Sequence, residues 1–97
     1  MRILPKPVSF DWDEGNTDKN WIRHRITNKE TEEVFNNKPL FISEDRKHSG
    51  KEIRFQALGK TNKKKMLFLS FTIRNNKVRI ISARDANRKE RKIYEKI

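Results

Sequence analysis

The segment "RIISARDANRKERKIYEKI", Arg79 to Ile97, sets Arg84, Arg88, Lys89, Arg91 and Lys92 around a single tyrosine, Tyr94. A second stretch, "DKNWIRHR", brings Lys19, Arg23 and His24 within two turns of a helix. Cations, an imidazole and a phenol are the ingredients for cutting RNA. The 2′-hydroxyl supplies the nucleophile, so the protein needs only a base, an acid and positive charge for the crowded phosphorane. DNA requires an external nucleophile and usually a metal.

His24 is the most natural titrating group, with an ordinary pKa of about 6.5. An imidazolium complementing a helix C-terminus is the competing reading, and both stay open. Lys19 and Arg23 share a helix face, and Asn20 is one turn from His24, close enough to orient it. Arg84 stands where a strand passes into a helix, and its planar fork suits phosphate better than a lysine would. Arg54 and Arg79, from the sheet, are further phosphate ligands. Lys63, Lys64, Arg88 and Arg91 extend the basic surface for RNA. Tyr94 is a candidate proton donor or stacking platform, with packing against the sheet an equal alternative. Glu90 falls on an apolar helical stripe and needs a cationic partner, such as Arg54 or Arg79, which it would aim. Trp12 and Trp21 suit base stacking, but core positions are expected for both.

Other chemistries find no support. Gly15, Gly50 and Gly59 form no phosphate-binding loop, and His24 and His48 lack metal-ligand spacing, so no cofactor and no metal are expected. The absence of cysteine excludes disulfides and thiolate chemistry and agrees with a reducing cytoplasm. With neither a signal-peptide pattern nor 18 consecutive apolar residues, a cytoplasmic protein without membrane contact is expected.

Net charge is +11, and it is lopsided. Residues 1–45 carry seven basic and nine acidic side chains, residues 46–73 eight and one, and residues 74–97 nine and three. Such polarity on a small domain fits a polyanionic partner. Ninety-seven residues suit one domain, with a core drawn chiefly from "MLFLSFTI" and "RIISA".

The elements that must position these groups follow from pattern. "MRILPKP" (1–7) reads as an extended arm. "VSFDW" alternates like a short strand. A first helix follows over "EGNTDKNWIRHR", and a second starts at the Thr27–Glu30 capping box and stops before Pro39. "LFISE", "EIRFQAL", "KKKMLFLSFTI" and "KVRIISA" read as strands of an antiparallel meander, and the last segment as a helix. The expected fold is α+β in the order βααββββα: an antiparallel sheet with two N-terminal helices and a C-terminal helix.

The order "FDWDEGNTDKNWIRHRI", "EEVF", "EIRFQALG" and "RIISARDANRKERKIYE", over Phe10 to Glu95, resembles the BrnT family of type II toxins. Two positions depart from the family's pattern. Asn16 stands where many members have lysine, with Lys19 one turn later as its possible replacement, and Arg25 stands where many have glycine. The resemblance implies a RelE-like fold, residues 8–97 forming a ribonuclease toxin domain that cuts RNA without a metal and arrests translation. It also implies a BrnA-like ribbon-helix-helix antitoxin, in a heterotetramer or higher complex bound to operator DNA through the antitoxin. A non-catalytic basic nucleic-acid-binding module and a protein-interaction domain are the alternatives.

Overall fold

A computed structural model describes residues 4–97. Its elements are α1 (Lys19–His24), α2 (Asn28–Val34), β1 (Phe41–Glu44), β2 (Arg54–Lys60), β3 (Met66–Arg74), β4 (Lys77–Asp85) and α3 (Arg88–Glu95). The strands form one antiparallel sheet in the order β1-β2-β3-β4. The apolar "MLFLSFTI" run becomes β3, an interior strand, as its two-sided hydrophobicity demands. Asn75 and Asn76 turn β3 into β4 with φ of 52° and 61°, the left-handed pair that a two-residue hairpin needs.

The strand expected at "VSFDW" is not there, so the order is ααββββα. This segment makes one parallel bridge, Phe10 to Val78, closed by the Asp11 amide on the Val78 carbonyl and the Val78 amide on the Ser9 carbonyl. Further along that edge of β4, side chains take the place of a strand. Asn16 Nδ2 donates to the Ile80 carbonyl at 3.1 Å, and Asn20 Oδ1 accepts from the Ala83 amide at 2.9 Å. Both asparagines are buried. Asp13 also accepts from the Gly15 amide and turns the chain away after one pair. Of the expected arm, residues 1–3 lie outside the described residues, whereas Leu4 packs against the core, as does Val8 just beyond the arm.

One face of the sheet carries that core. Alternation along β3 sends Leu67, Leu69 and Phe71 to it, where they meet Ile26, Val34, Phe35, Ile80 and Ala83. Phe35 packs edge-on against Phe10 and Phe71 at 5.4 and 5.3 Å between ring centres. The Thr27–Glu30 capping box starts α2 as expected. α1 ends at Arg25, whose φ is 59°, with its amide on the Trp21 carbonyl and the Ile26 amide on the Asn20 carbonyl. That turn drops Ile26 fully into the core. The expectation of a core position holds in part for Trp12, which packs on the core and donates from Nε1 to Glu32 at 2.7 Å. It fails for Trp21, which is exposed beneath the Arg25 guanidinium because α1 lies along the sheet edge and turns only part of its surface inward.

Candidate active site on the open sheet face

The other face of the sheet builds the site. Cross-strand register places three rows on it: Phe41, Leu58, Phe68 and Arg84; then Ser43, Gln56, Ser70 and Ser82; then Arg54, Thr72 and Arg79. Neighbouring rows are about 7 Å apart along β2 and β3, two residues each. A polar ladder therefore lies between two arginine-bearing rows roughly 13 Å apart along the strands. α3 covers one end of this face, where Ala86 and Tyr94 pack against Leu58, Met66 and Phe68.

Arg84 is the most constrained cation. Its Nη1 and Nη2 donate to the two Glu90 carboxylate oxygens at 2.8 Å each, and Nη1 also donates to the Asp85 carbonyl at 3.2 Å. Its guanidinium lies over the Phe68 ring, 4.3 Å from the centre. Among the described residues, five N–H donors less three leave the Nε–H and one Nη2–H, side by side on the lateral edge. Glu90 also accepts from the Asn87 amide at 2.9 Å, and Asn87 Oδ1 caps the helix by accepting from Glu90 N at 2.8 Å. One carboxylate thus starts α3 and fixes Arg84. The guanidinium holds the Glu90 carboxyl below its ordinary range, against the opposing effect of burial. Glu90 braces an arginine as expected, but the arginine is Arg84 rather than Arg54 or Arg79, because the first turn of α3 folds back over the end of β4.

Beside this pair the face sinks into a cavity of about 540 Å³ whose walls include Phe41, Gln56, Arg84, Lys89 and Ile93. α3 turns Lys89, not Arg88 or Arg91, toward it. Arg88 and Arg91 flank a separate depression, with Arg91 Nε on the Ala86 carbonyl at 3.2 Å.

The remaining sequence candidates are spread over the molecule. Arg79 is clamped by Asp13, with bonds of 3.0 and 2.9 Å, and by Asp11 at 3.5 Å. The Asp13 hydrogen bonds keep that guanidinium firmly protonated and in turn hold the Asp13 carboxyl low. Arg74 is similarly paired with Glu52 at 2.9 and 2.6 Å. Arg54 is exposed, and its guanidinium has no hydrogen bond or ion pair among the described residues. Lys63 and Lys64 lie in the β2–β3 turn, at the end of the sheet where Lys65 meets Asp85. Tyr94 is buried, donates its hydroxyl to the Pro39 carbonyl and has its pKa raised by burial. A proton-donating role would require that bond to open, so its placement is that of a packing residue.

Lys19 and His24 are exposed on α1, beside the outer edge of β4. Asn20 makes no hydrogen bond to His24 among the described residues; its carbonyl oxygen accepts from the Ala83 amide instead. The contacts of Asn16 with Ile80 and Asn20 with Ala83 show α1 advancing in the same direction as β4. One turn further, about 6 Å, His24 lies toward the Arg84 end of the strand. Sequence reasoning missed Lys89, Gln56 and Asn87 as residues of this face. The Asn87–Glu90 spacing repeats that of the α2 capping box and was the available signal for α3's start.

Among the described residues no cluster of histidines and carboxylates is arranged to hold a metal ion, and no helix is long and apolar enough to cross a membrane. The family described as "Ribonuclease toxin, BrnT, of type II toxin-antitoxin system" matches residues 12–90. None of the curated proteins matches the chain.

Proposed function

Since the chain belongs to the BrnT family of type II toxin-antitoxin ribonuclease toxins, we propose that its RNA-cleaving site is the open sheet face, centred on Arg84. The observation that carries this reading is the guanidinium pinned by Glu90 and Phe68 with its lateral donors unengaged at the mouth of a cavity. A phosphate seated there meets two parallel N–H groups, which then follow the charge that develops on the non-bridging oxygens.

The reaction is transesterification. A 2′-oxygen loses its proton and attacks the adjacent phosphorus, the bond to the 5′-oxygen breaks, and that oxygen takes up a proton, leaving a 2′,3′-cyclic phosphate. Arg84, with Lys89 beside it, stabilises the phosphorane. His24 and Lys19 serve proton transfer and charge from the edge of β4. Arg54, two rows from Arg84, holds a neighbouring phosphate, and Arg79 reinforces that end of the face from within its aspartate clamp. Lys63, Lys64, Arg88 and Arg91 attract the RNA backbone more broadly. No step in this scheme requires a metal ion. The sheet and its helices take a RelE-like arrangement, and the protein acts in the cytoplasm to arrest translation.

Membership of a type II system implies an antitoxin and an RNA target. A BrnA-like ribbon-helix-helix antitoxin fits if its acidic surface covers this basic face, in a heterotetramer or higher complex that reaches operator DNA through the antitoxin. The test is Arg84→Ala: expression should no longer inhibit growth, while circular dichroism of the purified chain stays that of the parent. A folded and fully toxic variant overturns the assignment.

A further inference from the structure

The cavity beside Arg84 offers more than a phosphate needs. Phe41 and Ile93 line it while 39% and 43% exposed, so neither is spent on the core. The Phe68 face is already covered by the Arg84 guanidinium, which leaves the Phe41 ring as the free stacking surface. Ser43, Gln56 and Asn87 add uncharged hydrogen-bonding groups. A bare anion would leave Phe41 and Ile93 uncovered, and an apolar ligand would leave the lateral donors of Arg84 unmet. A flat ring with a polar edge and an attached phosphate satisfies all of them. The volume, about 540 Å³, falls in the roughly 300–1,000 Å³ span of small-ligand sites.

Resting on the ribonuclease reading above, we propose that this cavity is a nucleobase pocket for the RNA residue whose phosphate Arg84 grips. The base stacks on Phe41 and is closed in by Ile93.

Asn87 Oδ1 is committed to Glu90 N, so Asn87 brings its NH2 to the cavity and can donate to an acceptor on the edge of the base.

The experiment is an NMR titration of the intact chain with AMP, CMP, UMP and ribose 5-phosphate. The three nucleotides should shift the Phe41 and Ile93 signals and bind about tenfold tighter than ribose 5-phosphate, the scale of one stacked base. Phe41→Ala should bring all three near ribose 5-phosphate. Equal binding of ribose 5-phosphate and the nucleotides overturns the pocket while leaving the ribonuclease reading intact. Base-dependent nucleotide binding by a chain that cuts no RNA supports the pocket and refutes the ribonuclease reading instead.

Discussion

Replacing Glu90 with glutamine tests whether Arg84 depends on being aimed. Glutamine keeps the length of the side chain and an oxygen for the Asn87 amide, and it removes the charge that grips both Nη atoms at 2.8 Å. The pair is half-buried, with the Glu90 side chain 14% and the Arg84 side chain 36% exposed. Its worth should therefore exceed the ~0.2–1 kcal/mol of a surface pair and fall short of the ~3–5 kcal/mol lost when a buried pair is broken. A loss of about 1–2 kcal/mol lowers the Tm of a domain this size by roughly 5–15 °C. Activity has a separate limit. An arginine side chain carries about 2 kcal/mol of rotamer entropy, so freeing Arg84 should reduce kcat/KM by roughly 10- to 30-fold. Removing its donors in Arg84→Ala should cost more, on the order of 10²–10³. Initial cleavage rates of a labelled RNA, with thermal unfolding alongside, measure both effects. A Glu90→Gln chain that cleaves at the parent rate refutes the aiming argument. So does one that is folded yet as inactive as Arg84→Ala, since the carboxylate would then belong to the chemistry.

Asn20→Ala leaves the Ala83 amide buried without its partner and should destabilise by about 1–3 kcal/mol, while the folded protein keeps its specific activity; an unchanged Tm would contradict the account of the β4 edge. Acid should weaken the fold in a defined direction. The carboxyls of Asp13, Asp45, Glu52 and Glu90 are all held below their ordinary values, so the unfolded chain takes up protons first as pH falls. The stability they contribute is complete above about pH 4.5 and disappears as pH drops through the lower folded values. Tm measured from pH 6 to pH 3 should fall across the acidic half of that range, and a flat profile would contradict it.

Much of the fold was legible in local signals. The capping box of α2, the two-sided hydrophobicity of β3 and the "RNN" turn each act through near neighbours, and the structure has all three. What was not legible depends on groups brought together across the chain. "VSFDW" has the alternation of a strand, but strand formation needs a free edge, and Asn16 and Asn20 occupy that edge from 64 and 63 residues away in sequence. The Asp13 clamp on Arg79 likewise spans 66 residues. Glu90 looked out of place on the stripe of α3, and that oddity did mark the site. Periodicity within a helix cannot show that its partner is Arg84, across the junction with β4. Arg25 has a physical reading as well: it takes the left-handed conformation that glycine favours where a helix ends.

The most direct measurement of the central claim is to incubate the purified chain with total RNA in excess EDTA and analyse the fragment ends. Cleavage that persists in EDTA and leaves 2′,3′-cyclic phosphates, and that disappears in folded Arg84→Ala, is the predicted result. Intact RNA bound with a steep salt dependence would contradict it and make the same face a binding surface alone.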